Sequence, residues 1–159
     1  MDRRIFLSYR RDDSADVTGR IYDRLVATFG HECVLKDVDS IPLGVDFRTH
    51  LNDMVAGCDL LVAIVGDRWL TSTGADGRRR LDDPKDFVRI EIEAALGRNV
   101  PVIPVLVRGA PVPTESELPA PLVPFAYRNG LPIRADPDFH RDMDRLIEGL
   151  RRHLGRGDP

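Results

Sequence analysis

Two glutamates lie two positions apart in the segment DFVRIEIEAAL, residues 86 to 96, and only one of them is placed to do chemistry. The apolar residues of this segment recur at helical spacing, so the segment predicts a helix. At about 100° per residue, Glu93 falls on the polar face with Arg89, whereas Glu91 falls inside the apolar arc. A carboxylate that points into the protein is costly unless it is paired or hydrogen-bonded. Glu91 is therefore either a structural carboxylate or a functional acid.

A second group with chemical potential is SYRRDDS, residues 8 to 14, which joins the first predicted strand to the first helix. Free backbone amides and the positive end of a helix favour anions at such a junction. Arg10 and Arg11 add two planar guanidinium groups that suit a phosphate. The alternative is a solvated charged turn in which Asp12 and Asp13 neutralise the two arginines.

A third group is KDVDSIPLGVDF, residues 36 to 47, where Pro42 and Gly44 indicate a loop at the same edge of the sheet. Asp37 and Asp39 are placed to meet the hydroxyls of a ribose. The alternative is turn chemistry, because Asp and Gly are frequent in loops for backbone reasons alone.

Trp69 follows the third predicted strand at this edge, within GDRWL. Two roles are open for it. Its ring either stacks on the ring of a ligand or packs beneath the long polar loop of residues 67 to 85.

Strand and helix patterns alternate along the chain, which predicts a parallel sheet covered by helices on both faces. For five strands we expect the flavodoxin-like order 2-1-3-4-5, an α/β fold that binds ligands at the carboxyl ends of its strands. Ser14 is the expected N-cap of the first helix. Residues 1–154 are expected to form one domain, with 155–159 as a polar tail that leads to a further domain or ends the chain. The predicted strands are 3–8, 32–37, 59–66, 100–107 and 131–134, and the predicted helices are 14–30, 46–57, 86–97 and 137–154.

The composition narrows the class of protein. A chain of 159 residues that is 42% apolar and 31% charged is typical of one soluble globular domain. No apolar run is long enough for a membrane span and no signal peptide begins the chain, so a cytoplasmic location is expected. The net charge of −3 argues against direct binding of nucleic acid. Cys33 and Cys58 are too few for a disulfide framework, and no Cys/His spacing suggests a metal site.

Four stretches together resemble the TIR (Toll/interleukin-1 receptor) domain in its bacterial form, over about residues 3 to 152. RIFLSYRRDDS matches the first box of the family, and LKDVDSIPLGVDF matches its second strand and BB loop. CDLLVAIVGDRWL matches the third strand, and DPKDFVRIEIEAAL matches the αC helix. The four occur in the family's order and at its spacing, and TIR domains have the flavodoxin-like fold predicted above.

The resemblance implies an activity and a site. Many TIR domains cleave NAD, and their catalytic glutamate lies in the αC helix, usually four residues after a tryptophan. In this chain Glu91 stands at the place of the glutamate and Phe87 at that of the tryptophan, which keeps an aromatic ring but loses the indole N–H. The resemblance also implies that Arg10 and Arg11 bind phosphate, and it suggests Tyr9, Phe87 and Trp69 as aromatic walls.

The implied reaction breaks the nicotinamide–ribose bond of NAD+ through an oxocarbenium-like state that a carboxylate stabilises. It requires no metal and no cofactor besides the substrate. The product is ADP-ribose or a cyclic ADP-ribose isomer. The family also implies self-association through TIR–TIR contacts that involve the BB loop, a fused or separate sensor domain, and, by analogy, a role in bacterial anti-phage defence.

Three other functions are compatible with parts of the sequence. A non-enzymatic TIR adaptor would act through TIR–TIR contacts alone and would not need an inward Glu91. A nucleoside deoxyribosyltransferase also uses a glutamate in this fold, but the SYRR and BB-loop stretches fit it poorly. A response-regulator receiver needs an acidic pair after the first strand, where this chain has Tyr9, Arg10 and Arg11.

Overall fold

A computed structural model of the chain describes residues 3–36 and 41–155. Two residues expected to meet a ribose, Asp37 and Asp39, lie outside this part of the chain. The described strands are β1 (Ile5–Ser8), β2 (Val34–Lys36), β3 (Leu60–Val65), β4 (Val102–Val107) and β5 (Leu131–Ile133). The described α-helices are α1 (Arg11–Phe29), α2 (Phe47–Ala56), α3 (Phe87–Gly97) and α4 (Phe139–Gly155).

The five strands form one sheet in the order β2-β1-β3-β4-β5, and every neighbouring pair is parallel. This confirms the predicted α/β class and flavodoxin-like strand order. β3 lies at the centre, and all six of its residues are buried. A continuous apolar run is typical of a strand that is covered on both faces.

Helices cover both faces of the sheet because alternate residues of each strand point in opposite directions. Ile5 and Leu7 of β1 pack in one core with residues of α1 and α4. Phe6, which lies between them, packs in a second core with residues of α2 and α3. The sheet therefore fixes α3 on one of its two faces, with α2.

The start of α1 differs from the prediction. The helix begins at Arg11, with only Tyr9 and Arg10 between it and β1, and Ser14 has non-helical angles inside it (φ −147°, ψ 27°). The amides of Asp13 and Ser14 donate instead to the carbonyl of Arg10 at 2.9 and 3.0 Å. Within the described part of the chain the Ser14 hydroxyl has no hydrogen-bond partner, so the expected side-chain cap is wrong.

The remaining connections are loops with short 3₁₀ turns. The proline-rich segment after β4 contains two of them, Glu115–Glu117 and Ala120–Tyr127. No helix in the described ranges is both long enough and apolar enough to cross a membrane.

Candidate active site

A cleft of about 560 Å³ opens where β1 ends. Its walls come from the turn between β1 and α1, from the loop between β3 and α3, and from the first two turns of α3. Such a volume lies within the range of roughly 300–1,000 Å³ that is typical of small-molecule sites. The carboxyl edge of a parallel sheet is also where this fold class binds ligands.

Glu91 lies at the base of this cleft, in the second turn of α3, with 8% of its surface exposed. The Ser8 hydroxyl donates a hydrogen bond to Oε1 of Glu91 at 2.9 Å. Glu93, by contrast, is exposed and lies beside Arg89 at 3.6 Å. The structure thus confirms which of the two glutamates points into the protein.

Arg10 is buried at the side of the cleft and is paired with Asp86. Its two terminal nitrogens each donate to a different carboxylate oxygen of Asp86, both at 2.9 Å. The Asp86 carboxylate also accepts from the backbone N–H of Arg89, so it caps α3. A guanidinium committed in this way is poorly placed to bind phosphate, and its partner is neither Asp12 nor Asp13.

The acidic residues after Arg10 make different contacts. Asp13 is buried and accepts from the backbone amides of Gly66 and Arg68 at 2.8 and 2.7 Å. These bonds join the start of α1 to the end of β3. Asp12 pairs with Arg80 of the β3–α3 loop at 2.8 Å. The alternative in which Asp12 and Asp13 neutralise Arg10 is therefore wrong, because both acids contact the loop that follows β3.

Two further predicted residues, Tyr9 and Arg11, line the cleft. Phe87 lines its mouth and is 44% exposed. The ring of Phe87 contacts the ring of Phe47, the first residue of α2, at a centroid distance of 5.2 Å and a tilt of 32°. An aromatic face therefore lies one helical turn before Glu91, at the point where the loop before α2 ends.

Trp69 does not line this cleft. Its side chain is buried and stacks on Phe125 at a centroid distance of 5.6 Å. Of the two roles left open by the sequence, packing beneath the loop is the one that the structure shows. The prediction that Trp69 forms a wall of the site is therefore wrong.

The loop between β3 and α3 is held by contacts at both of its ends. Trp69 near its start and Leu81 near its end are buried in the core beneath it. Arg79 donates to the carbonyl of Glu117 at 2.7 Å, which joins the loop to the first 3₁₀ turn after β4. Arg79 also pairs with Asp82 at 2.8 Å, and its hydrogen bonds lower the pKa of the Asp82 carboxyl.

No group of three or more His, Cys, Asp or Glu side chains within residues 3–36 and 41–155 is arranged to hold a metal ion. Cys33 and Cys58 are both free thiols. Burial raises the pKa of the Cys58 thiol to about 11, which makes it a poor nucleophile. Cys58 belongs to the core beneath α2 and α3, and Cys33 is half-buried.

Five of the eight predicted site residues therefore share one cleft: Tyr9, Arg10, Arg11, Phe87 and Glu91. Sequence reasoning did not single out Ser8 or Asp86. The sequence around each of them nevertheless indicates a special position. Ser8 is the only polar residue of the buried strand IFLS, and Asp86 stands directly before an apolar helical pattern, where N-caps are found.

Comparisons with known proteins identify the family. The sequence profile of the TIR domain matches residues 5–147. The TIR domains of the activated Roq1 resistosome, which directly recognizes the pathogen effector XopQ, align with a TM-score of 0.66 and 14% identity, over 94% of this chain and 99% of that chain. A metazoan TIR-STING receptor from C. gigas, solved in complex with 2',3'-cGAMP, aligns with a TM-score of 0.60 and 20% identity. That alignment covers 92% of this chain and 38% of the receptor chain. No curated protein sequence matches. Since the matched residues make up most of this chain, the chain belongs to the TIR domain family.

Proposed function

We propose that this TIR domain cleaves the nicotinamide–ribose bond of NAD+ and that Glu91 is its catalytic residue. One observation carries the proposal: a buried carboxylate lies at the base of a cleft of ligand size, one helical turn after an exposed aromatic ring. Buried ionisable side chains that line a cleft are often part of a functional site. Membership of the TIR family, which includes NAD-cleaving enzymes, supports the same activity.

The proposed chemistry starts with heterolysis of the bond between the ribose C1′ and the pyridinium nitrogen. Nicotinamide leaves with the electron pair as a neutral molecule, so no general acid is needed. Positive charge develops on the ribose, and the Glu91 carboxylate stabilises it. Water then adds to C1′ and loses a proton, which gives ADP-ribose. Attack by an adenine nitrogen or a ribose hydroxyl of the same molecule gives a cyclic isomer instead.

The other residues of the cleft would bind the substrate. Phe87 and Tyr9 would contact its flat rings, and Arg11 would pair with the diphosphate. Arg10 was expected to bind phosphate too, but its pairing with Asp86 favours an indirect role. Asp37 and Asp39 are proposed to meet ribose hydroxyls on the strength of the sequence. NAD+ is the substrate, and no further cofactor is part of the proposal.

We further propose that self-association through TIR–TIR contacts activates the domain. The TIR domains of the Roq1 resistosome belong to an activated assembly, which supports this idea. A fused or separate sensor domain would supply the signal, and the setting would be bacterial defence in the cytoplasm. Residues 1–154 would form the domain and 155–159 a tail or linker.

A non-enzymatic adaptor is the alternative, and one observation favours it. The loop before α2 presents apolar side chains to solvent: Leu43 is fully exposed, and Val45 is exposed as well. Contiguous exposed apolar patches mark contact surfaces, and these two side chains lie two positions apart on one loop. An adaptor would use this surface without turning over NAD+.

The deciding experiment measures nicotinamide release by concentrated protein with a crowding agent. Glu91→Gln is compared with Glu93→Gln, which changes the exposed glutamate two positions along the same helix. We expect the first variant to lose release and the second to retain it, with both folded. Absence of release by the assembled wild-type domain would favour the adaptor. Equal specific activity over a wide dilution series of monomeric protein would count against activation by assembly.

A further inference from the structure

We propose that Ser8 is a positioning residue that fixes the Glu91 carboxylate for catalysis; this inference rests on the proposed function. Ser8 is the last residue of β1 and is 1% exposed. Its Oγ lies 2.9 Å from Oε1 of Glu91, although 83 positions separate the two residues. The bond therefore connects the central sheet directly to the carboxylate at the base of the cleft.

The donor has a shorter side chain than the acceptor, and it stands on a strand of the sheet. Ser8 is paired with Ala63 in the register of β1 with β3, so its backbone is fixed by the sheet. A glutamate side chain has three rotatable bonds and several accessible rotamers. A hydrogen bond from a fixed hydroxyl to a carboxylate is charge-assisted, and it selects one of those rotamers. The Glu91 carboxylate consequently keeps one orientation before any substrate arrives.

Orientation matters because the proposed transition state is stabilised electrostatically. Groups that are already in place when charge develops cost nothing to reorganise. A displacement of about 1 Å in such a group can lower the rate by about 100-fold. Since the positive ribose exists only in the transition state, losing this alignment should lower kcat more than it raises KM.

A purely structural reading of the same contact is that Ser8 satisfies a buried carboxylate and thereby stabilises the fold. The two readings differ in measurable ways. A structural bond affects the free energy of unfolding and leaves the turnover of folded protein unchanged. A positioning bond lowers kcat in protein that remains folded.

The test compares Ser8→Ala with Ser14→Ala. Ser14 is also fully buried, but among the described residues its hydroxyl has no partner, which makes it a matched control. For Ser8→Ala we expect kcat to fall roughly 10- to 100-fold, with KM for NAD+ within about threefold of wild type. Ser14→Ala should retain both values. Wild-type kcat in folded Ser8→Ala protein would overturn the proposal.

A second measurement does not depend on activity. In protein labelled with carbon-13 at the glutamate carboxyl carbons, the Glu91 resonance is assigned by its absence in Glu91→Gln. It should move in Ser8→Ala and stay in place in Ser14→Ala; an unmoved resonance in Ser8→Ala overturns the proposal. If wild-type protein releases no nicotinamide, the proposed function fails. This resonance alone then decides whether Ser8 fixes the orientation of the Glu91 carboxylate.

Ser8→Cys covers the case in which the alanine variant does not fold. Cysteine keeps the shape of serine and has a weaker donor. A kcat between those expected for serine and alanine supports the proposal. A kcat equal to that of wild type contradicts it.

Discussion

Arg10 and Asp86 form a two-bond ion pair, with both N–O distances at 2.9 Å and only 2% and 10% of the side chains exposed. Arg10 directly precedes α1, and Asp86 is the N-cap of α3. The pair therefore joins the first helix of the chain to the helix that carries Glu91. Together with the bond between Ser8 and Glu91, it holds two successive turns of α3 against the end of β1.

Removing the acid of this pair should destabilise the domain strongly. Asp86→Ala leaves the Arg10 guanidinium buried without its counter-charge, which costs about 3–5 kcal/mol in comparable cases. Chemical denaturation measures the change in the free energy of unfolding. Asp46→Ala is the matched control, because Asp46 is also an N-cap, that of α2, but pairs with the exposed Arg48. A loss no larger than that of the control would show that the buried pair contributes little.

Stability should fall with acid through the bond between Arg134 and Asp142. Hydrogen bonds from the Arg134 side chain lower the pKa of the Asp142 carboxyl from 3.8 to about 2. A lowered pKa stabilises the fold above pH 3.8, and this contribution is lost as pH falls from 3.8 to about 2. Since the Arg134 side chain is 50% exposed, screening reduces it to the order of 1 kcal/mol.

Arg134→Ala tests this effect, because it removes the side-chain donors and keeps the backbone N–H that also bonds to Asp142. Unfolding free energies are compared between pH 6 and pH 2. The difference in unfolding free energy between wild type and variant should become smaller as the pH falls. Arg141→Ala, which changes an exposed arginine next to Asp142 on α4, should show only a small difference in unfolding free energy from wild type at every pH. A gap for Arg134→Ala that stays constant across the range would refute the assignment.

Trp69 should matter for folding and not for substrate affinity. Trp69→Ala removes a buried ring that stacks on Phe125, and comparable changes cost about 3–5 kcal/mol. Trp69→Phe should cost less, because the indole N–H has no hydrogen-bond partner in the described part of the chain. KM for NAD+ should stay within about twofold of wild type in the phenylalanine variant, since Trp69 does not line the cleft. A large rise in KM with unchanged stability would restore Trp69 as a wall of the site.

A methyl group at Gly66 should disturb the junction between α1 and β3. A Cβ atom there would lie 2.6 Å from both carboxylate oxygens of Asp13, which is held by the amides of Gly66 and Arg68. Gly66→Ala should therefore destabilise the domain by about 1–3 kcal/mol. Gly97→Ala, at the end of α3, meets no heavy atom within 4 Å and should be neutral or slightly stabilising. Thermal unfolding of the two variants side by side gives the comparison, and equal melting temperatures would contradict the expected clash.

Periodicity was sufficient to predict the alternating strands and helices and the inward direction of Glu91, because both depend on local patterns of apolar residues. The strand order followed from the order that is common for five alternating strands. Periodicity could not show that Ser8 would contact Glu91 or that Asp86 would contact Arg10. Each of them meets a residue more than 75 positions away, and that proximity depends on how the strands are ordered. Trp69 shows the same limit, since a large aromatic residue after a strand suits a binding site or a core equally well.

The start of α1 was missed for a physical reason. Ser14 fits an N-cap by residue type, and the charged residues before it do not look helical. In the structure the chain turns directly after β1, and the carbonyl of Arg10 accepts the first amides in place of a side chain. A tertiary contact, the capture of Asp13 by the Gly66 and Arg68 amides, overrides the local preference.

The buried residues at the two ends of the β3–α3 loop have a consequence for how such a site diversifies. Trp69 and Leu81 hold the ends of the loop, while the residues from Thr71 to Arg78 are all exposed or half-buried, and three of them, Gly74, Asp76 and Arg78, line the cleft. Surface substitutions away from buried features usually change stability by less than about 0.5 kcal/mol. Natural drift or a library of variants in this stretch can therefore change ligand choice while the fold keeps its stability. The fold and the specificity of the cleft can in this way evolve on separate sets of residues.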